Sequence, residues 1–309
     1  MAAKTLTAAA PRAHRRVLFH PAQLFALPYF LLLLAFGIGP GLYAFIISFA
    51  TFVEGRPQLF QAGLSNYVFA FSDFRFVPAF QNVGLFLLIS LPFGVIGVVL
   101  ITLLLHVRDG GFATVMRTIY FVPGAVAGPT AVLLAIFVFD PNISPFRNLL
   151  QSMGYSVVGD VIRPESLPVI FTLLGFFAGA GGWIAIFYGA LNGISHEVLE
   201  AATMDGCNAW QTAWYIKQPL ILPYIAYMVI LTFAGNVQLF AEPQLIGAAG
   251  AVPISPAWSP NQLGYQFAFG LGNFGASAAI SLLMLLIGLG GALIILRATS
   301  IFRVEAAAS

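Results

Sequence analysis

The chain has 309 residues, of which 60% are hydrophobic and only 8% are charged. Soluble domains carry roughly 25% charged residues, so the composition excludes a soluble globular protein and predicts an integral membrane protein built from helices. The net charge of +2 is too small for a nucleic-acid-binding protein. The single cysteine, Cys207, excludes an internal disulfide, and the four histidines lack the spacing of a zinc site.

Six apolar stretches reach the roughly 20 residues that a membrane-spanning helix needs. In chain order they cover residues 24–52, 79–107, 118–139, 167–191, 222–246 and 274–296. We therefore predict an all-α fold with one six-helix transmembrane domain over residues 24–297. An N-terminal tail over 1–23 and a C-terminal tail over 298–309 flank it. The first stretch exceeds the roughly 7–15 apolar residues of a cleavable signal, so we expect it to be retained.

Lysine and arginine are distributed unequally between the two sides of the predicted domain. Nine of the 13 lie before the first stretch, after the sixth, or in the loops after the second and fourth, and four lie in the loops after the first and third. Because cytoplasmic loops carry the excess of basic residues, both termini are predicted to be cytoplasmic.

Glycine and proline interrupt several of these stretches. Residues 37–41 carry three glycines and a proline in the first stretch, and Pro92, Pro123 and Pro129 lie in the second and third. Small residues let membrane helices pack closely, whereas proline kinks a helix and provides hinges for alternating access. Both interpretations stay open at this point.

The loop between the fourth and fifth stretches, about residues 193–221, differs from the others. Ser195 is a natural N-cap, Gly206 suits the left-handed end of a helix, and Pro219 precedes the next span. The loop therefore predicts two short helices around a glycine turn, with apolar side chains for the groove of a partner: Val198, Leu199, Met204, Trp210 and Trp214. A helix lying flat on the membrane is the alternative, but three acids and one lysine have the wrong sign for anionic lipid.

The same loop carries an ordered set of residues: Glu200, Ala201, Ala202, Asp205, Gly206, Ile216 and Pro219. Their spacing resembles the EAA loop of the permease subunits of binding-protein-dependent ABC importers. In that family a glycine lies four residues after the second alanine of Glu-Ala-Ala. Nine residues then separate this glycine from an Ile-x-Leu-Pro sequence. Here Gln218 replaces the leucine. Residues 202–211 are similar to the carbohydrate (maltose-type) branch, in which alanine is common at the position of Cys207.

Other segments extend the resemblance along the chain. They are residues 63–67 (Gly-Leu-Ser-Asn-Tyr), 117–123, 139–141, 265–269 and 275–279. Residues 246–250 (Ile-Gly-Ala-Ala-Gly) depart from the Thr-Gly-Gly-Gly-Pro run that is usual in the carbohydrate branch.

The resemblance implies a type I importer permease in the plasma or inner membrane of a prokaryote, carrying a sugar or related polyhydroxylated solute. It implies three kinds of partner: a cytoplasmic ABC ATPase dimer, a second homologous permease and an extracytoplasmic solute-binding protein. The sequence contains no Gly-x-x-x-x-Gly-Lys-Ser/Thr loop, so ATP and Mg are expected on the ATPase. We expect this chain to be neither an enzyme nor a cofactor-binding protein.

Polar residues inside predicted spans are candidates for the solute pathway, because their burial in the bilayer is costly. The candidates are Asn236, Gln238, Glu242, Tyr227, Asn82, Trp183, Tyr188 and Asn273. Amides pair with sugar hydroxyls and aromatic rings stack on the apolar face of sugars. On one continuous helix, Gln238 and Glu242 would share a face with Tyr227, and Asn236 would point the opposite way. For Glu242, a pathway role and simple solvation at the membrane surface are both open.

Three other functions compete with the importer hypothesis. A stand-alone secondary transporter tends to need intramembrane charges and internal repeats, and we find one candidate acid and no convincing repeat. An intramembrane enzyme would need a nucleophile–base pair or metal ligands within the spans. A purely structural subunit would leave the polar residues of the fifth stretch without a role.

Overall fold

The computed structural model describes residues 21–53, 56–108, 110–126, 128–250 and 253–299. Within these ranges the chain is mostly helical, with one short two-stranded ribbon. It divides into two compact units after Tyr43. The predicted tails lie outside the described residues, except for 21–23 and 298–299.

The first predicted span is a helix with a widened central turn. It consists of α1 (Pro21–Leu32), a π-helical segment (Leu33–Ile38) and α2 (Gly39–Ile47). The π-helical turn ends two residues before Pro40, whose ring lacks an N–H and crowds the carbonyl four residues earlier. Widening the helix relieves that crowding without ending it, so residues 25–47 remain long and apolar enough to cross a membrane.

A compact connection follows the first span. Strands β1 (Thr51–Val53) and β2 (Arg56–Gln58) pair antiparallel and lead to α3 (Ser65–Ser72). Buried Asn66 on α3 donates hydrogen bonds of 2.9 Å from Nδ2 to two backbone carbonyls, those of Ser48 and Ala50. These bonds satisfy carbonyls at the end of the preceding helix and hold α3 in place.

Three long helices match the second, fourth and sixth predicted spans. They are α4 (Phe76–Val107), α9 (Leu167–Asn192) and α16 (Phe274–Ala298). Each is long and apolar enough to cross a membrane. Helices α4 and α9 pack along each other, and Gly97 of α4 leaves room for the ring of Phe176.

The third predicted span is not one helix, so a single helix over 118–139 is wrong. Helix α5 (Gly111–Phe121) continues into a 3-10 turn (Val122–Val126), and α6 (Pro129–Val138) then leaves at a bend of 108°. Gly128 has φ +79°, a conformation that glycine adopts without strain, and Pro129 occupies the first position of α6, where its missing N–H costs nothing.

The fifth predicted span is also interrupted. Helix α13 (Leu222–Val237) ends before Gln238, and α14 (Ala241–Ala248) begins three residues later. Pro243 explains the break, because within a continuous helix its ring would clash with the carbonyl of Leu239. In the first turn of a new helix that clash is absent. The prediction of one helix over 222–246 is therefore wrong.

The remaining helices are short and lie in the connections. They are α7 (Arg147–Ser152), α8 (Val158–Val161), α10 (His196–Met204), α11 (Ala209–Thr212), a π-helical segment (Ala213–Lys217), α12 (Gln218–Leu220), α15 (Pro260–Tyr265) and a π-helical segment (Gln266–Gly270). The segment 209–220 meets α13 at a bend of 63°. With each bent pair counted as one span, the described residues hold six, in agreement with the predicted number.

Candidate functional site

The first half of the loop over 193–221 is a helix closed by a glycine turn. Helix α10 starts after Ser195, as predicted, although the Ser195 hydroxyl makes no capping hydrogen bond. At the other end Gly206 has φ +81°. Its N–H donates to the carbonyl of Thr203, and the N–H of Cys207 donates to that of Ala202, both at 3.0 Å. This is a Schellman motif, so the predicted glycine stop is confirmed.

The second half of the loop begins with a capping box, which was not predicted. Oδ1 of Asn208 accepts hydrogen bonds from the N–H groups of Trp210 and Gln211, at 3.0 and 2.9 Å. Oε1 of Gln211 accepts in return from the N–H of Asn208, at 2.8 Å. An Asn followed three residues later by Gln was the available signal. Both ends of the turn are thus fixed by local hydrogen bonds.

The family-like residues of the loop divide between its two faces. Glu200, Ala201, Asp205, Gly206 and Pro219 are exposed, Ile216 is half-buried and Ala202 is buried. Several large apolar side chains around them also face outward: Val198, Met204, Trp210, Trp214 and Tyr215. Met204 is the most exposed, at 86%. The arrangement presents a small rigid apolar ridge with acidic neighbours, which suits a groove on a partner protein.

The inner face of the loop is part of the hydrophobic core. Ala213 and Ile221 are buried in one cluster with Leu103 of α4 and Phe187 of α9. Lys217 is also buried, and its Nζ lies 3.0 Å from Nδ1 of His106, in the last turn of α4. Motion of the loop therefore cannot leave α4 and α9 undisturbed.

Two of the predicted pathway residues meet between α4, α9 and α13. Asn236 and Trp183 line a cavity of about 80 Å³. Nδ2 of Asn236 donates to Oγ of Ser90 at 3.0 Å. Tyr227, which is half exposed, contacts Trp183 edge to face at 5.9 Å.

A second cavity brings Asn236 together with Glu242. It has a volume of about 110 Å³, and Phe86 and Phe171 line both cavities. Glu242 lies in the first turn of α14, and Gln238 follows the last residue of α13. The prediction that Gln238 and Glu242 share one helix face is therefore wrong. Among the described residues that line the two cavities, Gln238 is not found.

The other three predicted pathway residues make structural contacts. Nδ2 of Asn82 donates to the carbonyl of Trp258 at 3.0 Å. Oδ1 of Asn273 accepts from the N–H of Ala276 at 3.0 Å and caps α16. Tyr188 is buried beneath the guanidinium of Arg117, which lies 3.7 Å from the ring centre. The structure does not bring these three to the cavities of Asn236.

Known proteins resemble the chain over most of its length. The osmoprotective compounds uptake permease protein GgtC of Synechocystis is 28% identical over 275 residues, which cover 85% of this chain and 93% of that protein. The arabinooligosaccharides transport system permease protein AraP of Bacillus subtilis is 24% identical over 296 residues, covering 91% and 89%. These relatives are transporter permeases rather than enzymes.

A solved structure shows the fold directly. It is the crystal structure of a bacterial alginate ABC transporter in complex with alginate pentasaccharide-bound periplasmic protein. One of its chains matches with a TM-score of 0.75 at 18% identity, over 90% of this chain and 93% of that chain. The predicted importer-permease fold is thereby confirmed. The family described as binding-protein-dependent transport system inner membrane component matches residues 21–298, and the chain belongs to that family.

Proposed function

We propose that this chain is one of two permeases of an ATP-driven importer and translocates a sugar or related polyhydroxylated solute. The observation that carries the proposal is the loop over 193–221, which we call the coupling loop. It joins an outward apolar ridge to an inner face packed against α4 and α9. The distribution of lysine and arginine supports a cytoplasmic position for both termini and hence for this loop.

The coupling loop is suited to transmit force because it is stiff at its turn. The Schellman motif at Gly206 and the capping box at Asn208 satisfy the helix ends on both sides of the turn. Exposed Glu200, Ala201 and Asp205 would meet the ATPase dimer, as the family spacing implies. ATP and Mg belong to that ATPase.

The solute would arrive from a solute-binding protein outside the membrane and pass between this chain and a second homologous permease. AraP is named for arabinooligosaccharides, and the matching alginate transporter holds a periplasmic protein with a bound pentasaccharide. Both names support a carbohydrate as the solute here.

The cavity at Asn236 has the chemistry of a site for neutral hydroxylated compounds. Its polar groups are the amide of Asn236 and three hydroxyls, those of Ser90, Thr172 and Thr232. Trp183 supplies a ring for stacking. Among the described residues that line it, none is charged, which favours a neutral sugar over a phosphorylated one. Glu242 and Tyr227 lie next to this path, whereas Gln238, Asn82, Tyr188 and Asn273 need a test of their own by substitution.

The first experiment is co-purification of the tagged chain from mild detergent, followed by mass spectrometry. We compare wild type with Gly206→Val and with Gly154→Val as the matched control. Both glycines have positive φ, +81° and +89°, and open space around them. The two variants therefore carry similar backbone strain, but only Gly206 lies in the coupling loop.

We expect an ABC ATPase, a second permease and the binding protein with wild type. Gly206→Val should lose the ATPase, and Gly154→Val should keep it. A chain that purifies alone, inserted and folded, would contradict the proposal, and so would equal ATPase recovery from both variants. Uptake of labelled disaccharides, oligosaccharides and polyols by cells with and without the chain then tests the solute class.

A further inference from the structure

A buried lysine connects the coupling loop to the transmembrane helices. Lys217 is 9% exposed and ends the π-helical segment of the loop. Its Nζ lies 3.0 Å from Nδ1 of His106, which is 111 positions earlier in the chain. Single π-helical turns often mark functional positions in helices, and this one has its buried residues, Ala213 and Lys217, on the core side.

The chemistry of the pair fixes which atom donates. With Lys217 protonated, its ammonium group can only donate hydrogen bonds, so Nδ1 of a neutral His106 ring is then the acceptor and the ring carries its proton on Nε2. A buried ammonium group without hydrogen-bond acceptors is costly. Separation of the loop from α4 would therefore take the His106 acceptor away from the Lys217 side chain and carry a free-energy penalty.

The same cluster reaches two further helices. The ring of His106 lies 5.1 Å from that of Tyr188 on α9. The guanidinium of Arg117 on α5 covers the Tyr188 ring at 3.7 Å, a distance typical of a cation–π contact. The polar cluster Lys217–His106–Tyr188–Arg117 thus joins the loop to α4, α9 and α5.

We propose that Lys217 and His106 are positioning residues that transmit movement between the coupling loop and helices α4 and α9. The inference rests on the proposed function and adds the residues that carry the movement inside this chain. The outer half of the loop meets the ATPase, and the inner half pulls on α4 through a directional hydrogen bond. The apolar cluster around Ala213 and Ile221 keeps the loop and helices together, whereas the hydrogen bond fixes one donor atom of the loop against one acceptor atom of α4.

The test uses the purified complex in lipid nanodiscs, with MgATP as the probe. The rate of ATP hydrolysis is measured without and with the solute-binding protein, which is added in the form in which it co-purifies. The readout is the rate with the binding protein divided by the rate without it. The variants are Lys217→Met, His106→Leu, their combination and His106→Gln, which keeps an acceptor oxygen. Arg297→Met, at an exposed position in the last turn of α16, is the control for loss of a cytoplasmic-side charge.

We expect Lys217→Met and His106→Leu each to lower the ratio about fivefold, the lower end of typical coupling between sites. The double variant should fall no further, because both changes remove the same bond. His106→Gln and Arg297→Met should stay near wild type. If Lys217→Met does not assemble, the comparison of His106→Leu with His106→Gln decides.

Three results would overturn the inference. One is an unchanged ratio in His106→Leu. Another is an equal fall in His106→Leu and His106→Gln. The last is a lower yield of complex with an unchanged ratio, which indicates packing alone. Failure of the proposed function looks different, because then no ATPase accompanies the wild-type chain at all.

Discussion

A close approach of the α5 backbone to α9 predicts a sharp difference between two adjacent glycines of α9. A Cβ atom on Gly181 would overlap the carbonyl oxygen of Tyr120 and lie 2.5 Å from its carbonyl carbon and 2.6 Å from Cα of Phe121. These are backbone atoms of α5, so no side-chain rotation relieves the clash. Gly182, the next residue, is exposed and has nothing within 4 Å of its Cβ position.

The magnitude follows from the distance by which the helices must separate. Ordinary van der Waals contact starts at 3.4 Å and the carbonyl carbon of Tyr120 lies at 2.5 Å, so relief at that atom requires a shift of at least about 0.9 Å. A gap of about 0.5–1 Å removes roughly a quarter to a half of each dispersion contact across it, and overpacking typically costs about 1–3 kcal/mol. We expect Gly181→Ala to destabilise the chain by about 2 kcal/mol. At roughly 2–4 °C per kcal/mol, the melting temperature falls by about 4–8 °C.

Thermal unfolding of the detergent-solubilised chain, followed by fluorescence-detected size-exclusion chromatography, measures this difference. Gly182→Ala is the control, and it should be neutral or slightly stabilising because alanine is the better helix former. Equal melting temperatures for the two variants would refute the close packing of α5 on α9.

Three further predictions concern other parts of the chain. Asn66→Leu removes two buried hydrogen bonds to backbone carbonyls and should lower the free energy of unfolding by about 1–3 kcal/mol. Asn142→Leu, at an exposed position, should lower it much less. Equal melting temperatures for the two variants would contradict this. The pKa of Asp73 lies below its ordinary value because its carboxylate accepts hydrogen bonds from the side chain of Arg75. The stability from this pair is therefore present above about pH 4 and is lost as the pH falls through the folded-state pKa. Asp73→Asn should reduce the fall in melting temperature between pH 6 and pH 3. An unchanged dependence of melting temperature on pH would count against the pair. Asn236→Leu should reduce uptake of a sugar substrate about tenfold, the loss of one good hydrogen bond to solute, at unchanged amounts of complex, and full uptake would remove Asn236 from the pathway.

The number of apolar stretches was predictable from the sequence, but the path of the chain through two of them was not. Composition identifies a stretch of about 20 apolar residues without showing whether it is one helix. In the third stretch Gly128 and Pro129 indicated a weak point, yet nothing local fixes a bend of 108°. In the fifth, Pro243 acts on the carbonyl four residues before it, so the helix ends well before the proline itself.

The candidate sites show the same division between local and distant interactions. The glycine turn at Gly206 and the capping box at Asn208 involve neighbours within five residues, so the sequence holds the information for both. The contact of Lys217 with His106 joins residues 111 positions apart. It depends on how α4 packs against the loop, which a single sequence does not reveal.

The position of Cys207 makes the natural chain ready for site-specific labelling. It is the only cysteine among the 309 residues, it is half-buried, and it directly follows the Gly206 turn. A thiol-directed fluorophore or spin label therefore reports from the coupling loop without prior removal of other cysteines. Under the proposed function, its signal during ATP turnover would show whether this loop moves and by how much.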